Sequence, residues 1–95
     1  MNAGRRAVFN KSGKFIFRSV AGEDVLVPAS ETTRLRSFHV LNPTAAGIWS
    51  LIDGRRSAED IARAIAETYD VGLERALRDV DAFLDRLAAI GAVSR

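Results

Sequence analysis

The spacing of apolar residues changes once along the chain, at Asn42. Before it the period is close to two, that of a strand. KFIFRSV (14–20) sets Phe15 and Phe17 on one face and Ile16 on the other. AGED supplies turn residues, and VLVP (25–28) is a β-branched run closed by Pro28. SETT is polar and reads as a loop. RLRSFHVLN then alternates Leu35, Ser37, His39 and Leu41 against Arg36, Phe38 and Val40, a third strand ending near Leu41. AVF (7–9) is a candidate extra strand, paired back through the turn NKSG.

After Asn42 the period becomes helical. Asn42 is a good N-cap, and Pro43 suits the first helical position, where its missing N–H costs nothing. Ala46, Ile48, Trp49, Leu51 and Ile52 form a broad apolar face, and Gly54 is the expected left-handed stop. Ser57 and Asp60 approximate a capping box and open a second helix. Its face is Ile61, Ala62, Ile65, Ala66 and Tyr69, and residues 70–72 break it. A third helix over 73–90 carries Leu73, Leu77, Val80, Leu84 and Leu87, with Ala76, Phe83 and Ile90 broadening the stripe to one side. Gly91 stops it, and AVS is a short final extended segment.

Strands over 14–41 followed by helices near 43–53, 58–69 and 73–90 predict an α+β fold, with the helices on one face of an antiparallel meander. Its third strand then lies at an open edge. Residues 1–12 are expected to form a flexible arm. A chain of 95 residues has room for one core, so a single domain is expected.

Composition removes most chemistry. There are no cysteines, which excludes disulfides, thiolate metal sites and cysteine nucleophiles, and one histidine cannot build a metal site alone. The isolated glycines at 4, 13 and 22 form no phosphate loop. Asp79, Asp81 and Asp85 alternate with Arg75, Arg78 and Arg86 on the third helix and read as a solvated face. Trp49 reads as core, and His39 as a strand residue facing a groove or solvent. No enzyme activity, cofactor or metal is expected. The N-terminus has two arginines but no apolar block after them, and no run approaches the ~20 residues of a membrane span, so no membrane association and a cytoplasmic location are expected. Charge is uneven. Residues 1–42 carry seven Lys/Arg against three Asp/Glu, net +4, and residues 43–95 carry seven against nine, net −2. The basic half suits an acidic peptide or a nucleic acid.

The ordered set Leu41-Asn42, Thr44-Ala45, Ile48-Trp49, Leu51-Ile52-Asp53-Gly54, Ser57-Ala58-Glu59-Asp60-Ile61, Tyr69-Asp70-Val71, Val80, Phe83-Leu84, Leu87 and Gly91 resembles the coenzyme PQQ synthesis protein D (PqqD-like) family. Asn42-Pro43 stands where Asn-Glu is commoner, and the cap logic survives the change. FIFRSVAGEDVLVPA looks like the family's first hairpin. The resemblance implies a winged-helix-like RiPP recognition element. Such a domain binds the leader of a ribosomally made precursor peptide and presents it to a modifying enzyme, often a radical SAM enzyme. PQQ, other radical SAM and lasso-peptide pathways all use similar domains.

The leader adds to the third strand and lies against the third helix, which implies contacts at Arg36, Ser37, Phe38, His39, Val40, Leu41, Leu77, Val80, Asp81 and Leu84. Arg34 and Arg36 would favour an acidic leader. An open edge is compatible with a monomer and with an edge-paired dimer. The rival reading is a DNA-binding winged helix. Against it, residues 73–90 carry three arginines, one glutamate, three aspartates and no Asn, Gln or Lys, which DNA would repel, so no nucleic-acid partner is expected. A third reading is a structural subunit or fragment of a larger enzyme.

Overall fold

The change of period at Asn42 is the seam between sheet and helices in the computed structural model, which describes residues 6–30 and 38–95. On its N-terminal side lie β1 (Asn10–Lys11), β2 (Phe15–Val20), β3 (Glu23–Pro28) and β4 (His39–Leu41). On the other side lie α1 (Pro43–Leu51), α2 (Ala58–Tyr69), α3 (Leu73–Ala89) and β5 (Val93–Ser94). The calls on Glu31, Leu35, Arg36 and Ser37 fall outside the described residues.

The main sheet is antiparallel in the order β2-β3-β4, the α+β arrangement expected from the pattern and the winged-helix-like one implied by the resemblance. Phe17 pairs with Leu26, and Leu26 with His39, so these three share one face. Leu26 and Leu41 on that face are buried in the core beneath the helices, and Phe15 packs against it. Val20 and Val40 stand on the opposite face, both exposed. Ala21 and Gly22 join β2 to β3, each with positive φ, as a two-residue hairpin requires to match strand twist.

α1 and α2 start where their caps predict. The Asn42 side chain accepts the Ala45 N–H at 2.8 Å, and Pro43 occupies the first helical turn. Ser57 Oγ accepts the Asp60 N–H at 3.1 Å, and Asp60 returns the bond to the Ser57 N–H at 3.0 Å. α3 has no side-chain cap at Gly72 but ends in a two-bond stop. The Gly91 N–H reaches the Ala88 carbonyl and the Ala92 N–H reaches Leu87, with Gly91 left-handed. Tyr69 then ties α2 to α1. Its hydroxyl donates to the Pro43 carbonyl at 3.0 Å, and a Cβ on Gly47 would come within 2.7 Å of that hydroxyl oxygen. Glycine at 47 therefore allows the ring to lie on α1.

Three expectations are corrected. Gly54 has the expected positive φ (78°), but α1 already ends at Leu51. Gly54 instead turns the α1–α2 loop against the N-terminal segment, donating to the Phe9 carbonyl at 3.0 Å beside the Asn10 side chain. AVF does not fold back through NKSG onto β2. Val8 bridges Ser57, and β1 pairs with β5. Residues 7–12 are therefore not a flexible arm. Phe9 is 5% exposed, and the Ala7 carbonyl accepts the Ala58 N–H at 3.1 Å. The loop's buried amides need acceptors, and this segment supplies them. Trp49 is core, as expected, with the Lys11 ammonium 4.9 Å from its ring. Burial lowers the Lys11 pKa, partly opposed by the charge of Asp53.

Asn42→Ala should lower stability by about 0.5–2 kcal/mol in denaturant titrations through loss of the cap. Gly54→Val should lower the melting temperature more than Gly54→Asn, because asparagine tolerates positive φ and a β-branched residue does not; equal losses would remove the left-handed role from Gly54.

Candidate functional site

β4 pairs with β3 along one edge, and among the described residues no strand pairs along the other. One residue after β4 the Asn42 cap turns the chain into α1, so the free edge stops beside the first turn of that helix. The C-terminal half of α3 runs opposite. Between them lies a groove of about 660 Å³. One wall is Phe38, His39, Val40 and Leu41, and the other is Phe83, Arg86, Leu87, Ala89 and Ile90. Asn42 and Ala45 also line it, with the fully buried Leu26.

Four consecutive residues line one wall, although strand alternation sends 38 and 40 to one face and 39 and 41 to the other. That wall is therefore the edge of β4 and not a face of it. An edge offers backbone N–H and C=O groups in sequence, and the opposite wall offers apolar side chains. Phe38 is 58% exposed, Val40 57% and Ile90 36%. The His39 ring leans toward β2, with its centroid 5.8 Å from that of Phe15. Of the side chains lining this groove, Arg86 is the one with a permanent charge.

A smaller hollow of about 360 Å³ adjoins the groove and shares Asn42, Ala45, Phe83 and Arg86 with it. Thr44, Ile48 and Ala82 line the rest, with Arg75 and Asp79. Arg75 Nε stands 3.8 Å from Asp79 Oδ2, an ion pair too long for a hydrogen bond. Among the described residues no group of three or more His, Cys, Asp and Glu is placed to hold a metal ion, and no helix is long and apolar enough to cross a membrane.

The residues expected to meet a peptide divide sharply. Phe38, His39, Val40 and Leu41 line the groove, and Arg36 and Ser37 lie outside the described residues. Leu77, Val80 and Leu84 do not line it. They are 7%, 0% and 2% exposed and belong to the core. Asp81 is half-buried but also stands away from the groove. At ~100° per residue it sits about 160° around the helix from Phe83. The groove face of α3 is Phe83, Arg86 and Ile90, spaced i, i+3, i+7. Its sequence signal was the widening of the apolar stripe at Phe83 and Ile90. Arg86 was missed because, among alternating charges, it read as part of a solvated face.

The sequence profile of the family described as coenzyme PQQ synthesis protein D (PqqD) matches residues 25–93. No curated protein matches the chain. Three solved structures share its fold. TbiB1, determined in complex with the TbiA(beta) leader peptide, is 25% identical, with a TM-score of 0.71 over 90% of this chain and 94% of that one. A lasso peptide synthetase B1, complexed with the leader peptide, is 25% identical, with a TM-score of 0.75 over 94% of this chain and 100% of that one. The PqqD truncation of Methylobacterium extorquens PqqCD, described as a functional and stand-alone RiPP recognition element, is 22% identical, with a TM-score of 0.72 over 93% and 89%.

The two stripes of α3 should separate by mutation. Leu84→Ala, in the core, should cost about 2–5 kcal/mol of stability. Ile90→Ala, on the groove, should stay within about 1 kcal/mol of the parent in the same denaturant titration.

Proposed function

The chain belongs to the coenzyme PQQ synthesis protein D (PqqD) family, and on that premise we propose that it is a RiPP recognition element: a non-catalytic domain that binds the leader of a ribosomally made precursor peptide and presents it to a modifying enzyme. The observation that carries this reading is the edge of β4, on which no strand pairs among the described residues, facing an apolar wall on α3. An extended peptide added to that edge satisfies its own backbone groups and those of β4. Its alternate side chains then enter the groove. Main-chain pairing supplies affinity and register, and the fit of side chains against Phe83, Leu87 and Ile90 supplies choice.

The site residues under this reading are Phe38, His39, Val40 and Leu41 on the strand, with Phe83, Arg86, Leu87 and Ile90 on the helix. Arg36 and Ser37, outside the described residues, stay in the proposal as expected peptide contacts from the sequence. The modifying enzyme is a radical SAM enzyme or another peptide-modifying enzyme, including one of the lasso type, and the complex works in the cytoplasm. A peptide lying between two elements that hold no acid–base or metal constellation is held but not altered, so the chemistry resides in the partner. The charge of the third helix weighs against the DNA-binding alternative. Arg75, Arg78 and Arg86 on α3 are outnumbered by Glu74, Asp79, Asp81 and Asp85, and the helix buries its continuous apolar stripe in the core.

The test is a titration of isotope-labelled protein with a precursor leader encoded beside its gene, followed at the backbone amides. Shifts should concentrate on residues 38–42 and 82–91 and leave 57–69 nearly unmoved. No binding to the peptide, together with salt-dependent binding of duplex DNA through α3, would transfer the chain to the regulator class.

A further inference from the structure

Arg86 stands at the junction of two hollows. Its guanidinium lies over the Phe83 ring, 5.6 Å from the centroid, where the groove and the smaller hollow meet. The side chain is exposed and, among the described residues, has no ion-pair partner, whereas Arg56, Arg63 and Arg75 each face a carboxylate. No Asp, Glu or Lys lines the larger groove. The smaller hollow holds Arg75, Asp79 and Arg86, net +1, with Asp79 already beside Arg75. An anion entering either space therefore meets one uncompensated positive charge.

We propose that Arg86 is a carboxylate subsite of the peptide groove, so that the bound segment carries an Asp or Glu at one fixed position beside its apolar residues. This rests on the peptide-binding reading and adds a selectivity to it. A guanidinium stacked on an aromatic ring keeps its edge free, and that edge presents paired N–H donors that match the two oxygens of a carboxylate. The Phe83 ring, 5.6 Å from the guanidinium carbon, adds a cation–π attraction that favours the charge at this place. Shared by both hollows, the pair marks where a peptide leaving the apolar groove passes the first turn of α1. The acidic residue thus belongs at the end of the segment that lies beside Asn42 and Ala45, with the apolar residues along Phe38, Leu87 and Ile90.

The experiment is selection of short randomised peptides displayed on phage against three folded proteins: the parent, Arg86→Met and Arg86→Glu. Arg86 is exposed, so both variants should keep the parent's amide spectrum outside the groove. The parent should enrich apolar residues with Asp or Glu at a constant offset. Arg86→Met should lose that position while keeping the apolar ones, and Arg86→Glu should replace it with Lys or Arg. A selected peptide should bind Arg86→Met about tenfold or more weakly than the parent. Changing its Glu to Lys should restore binding to Arg86→Glu. Enrichment of one apolar motif by all three proteins, with no acidic position, would overturn the subsite and leave the peptide groove intact. Failure of all three to enrich any peptide would overturn the groove reading and the subsite with it.

Discussion

The hydrogen bond from the Ala45 N–H to the Asn42 side chain ends a strand and begins a helix within one residue, and the site depends on that junction. A strand that ran on would pass the end of α3 and close the groove against nothing. A helix that began later would leave a loop between wall and core. The cap fixes the edge of β4 at Leu41 and sets the first turn of α1 against it. Tyr69 holds the same turn through the Pro43 carbonyl, and Gly47 makes room for the ring. A local cap and a long-range bond thus agree on one position, the kind of consistency that gives a unique structure.

α3 serves the core and the groove with adjacent stripes of one cylinder. Leu77, Val80 and Leu84 belong to the core alone, Phe83 and Leu87 are core residues that also line the groove, and Arg86 and Ile90 stand exposed on the groove side. The expected fold was legible because periods of two and 3.6 and the caps at Asn42 and Ser57 are local features of the chain. The assignment of α3 residues to the groove was not. A periodic apolar stripe tells that a face is buried, but not whether another helix or a ligand buries it. Leu77, Val80 and Leu84 have the strongest periodicity and so were taken by the core. On the weaker flank Phe83 is shared between core and groove, and only Ile90 is left exposed to the groove.

The N-terminal segment was illegible for a different reason. AVF and NKSG carry strand and turn signals, which favour a local hairpin. Their actual partners are some fifty and eighty residues away, at Gly54, Ser57 and β5. No sequence period encodes such a pairing. What selects it is satisfaction of the α1–α2 loop, whose Gly54 and Ala58 amides would otherwise be buried without acceptors, together with the burial of Phe9. The Gly91 stop then aims β5 at β1, so one helix terminus and one loop jointly place a strand that neither specifies alone.

An unpaired edge beside bare apolar side chains is a hazard for any soluble chain, since it invites pairing with a second copy. Several features limit that hazard here. Among the described residues β4 has three residues in regular pairing, a short edge for templating a sheet. Asn42 ends it abruptly, and Pro43 cannot donate to a ladder. Arg86 on α3 places a full positive charge in the groove. The same charge attracts a partner of opposite sign. Exposure of Phe38, Val40 and Ile90 is then tolerable under the proposed reading, because an extended acidic segment that pairs with Arg86 also covers these side chains.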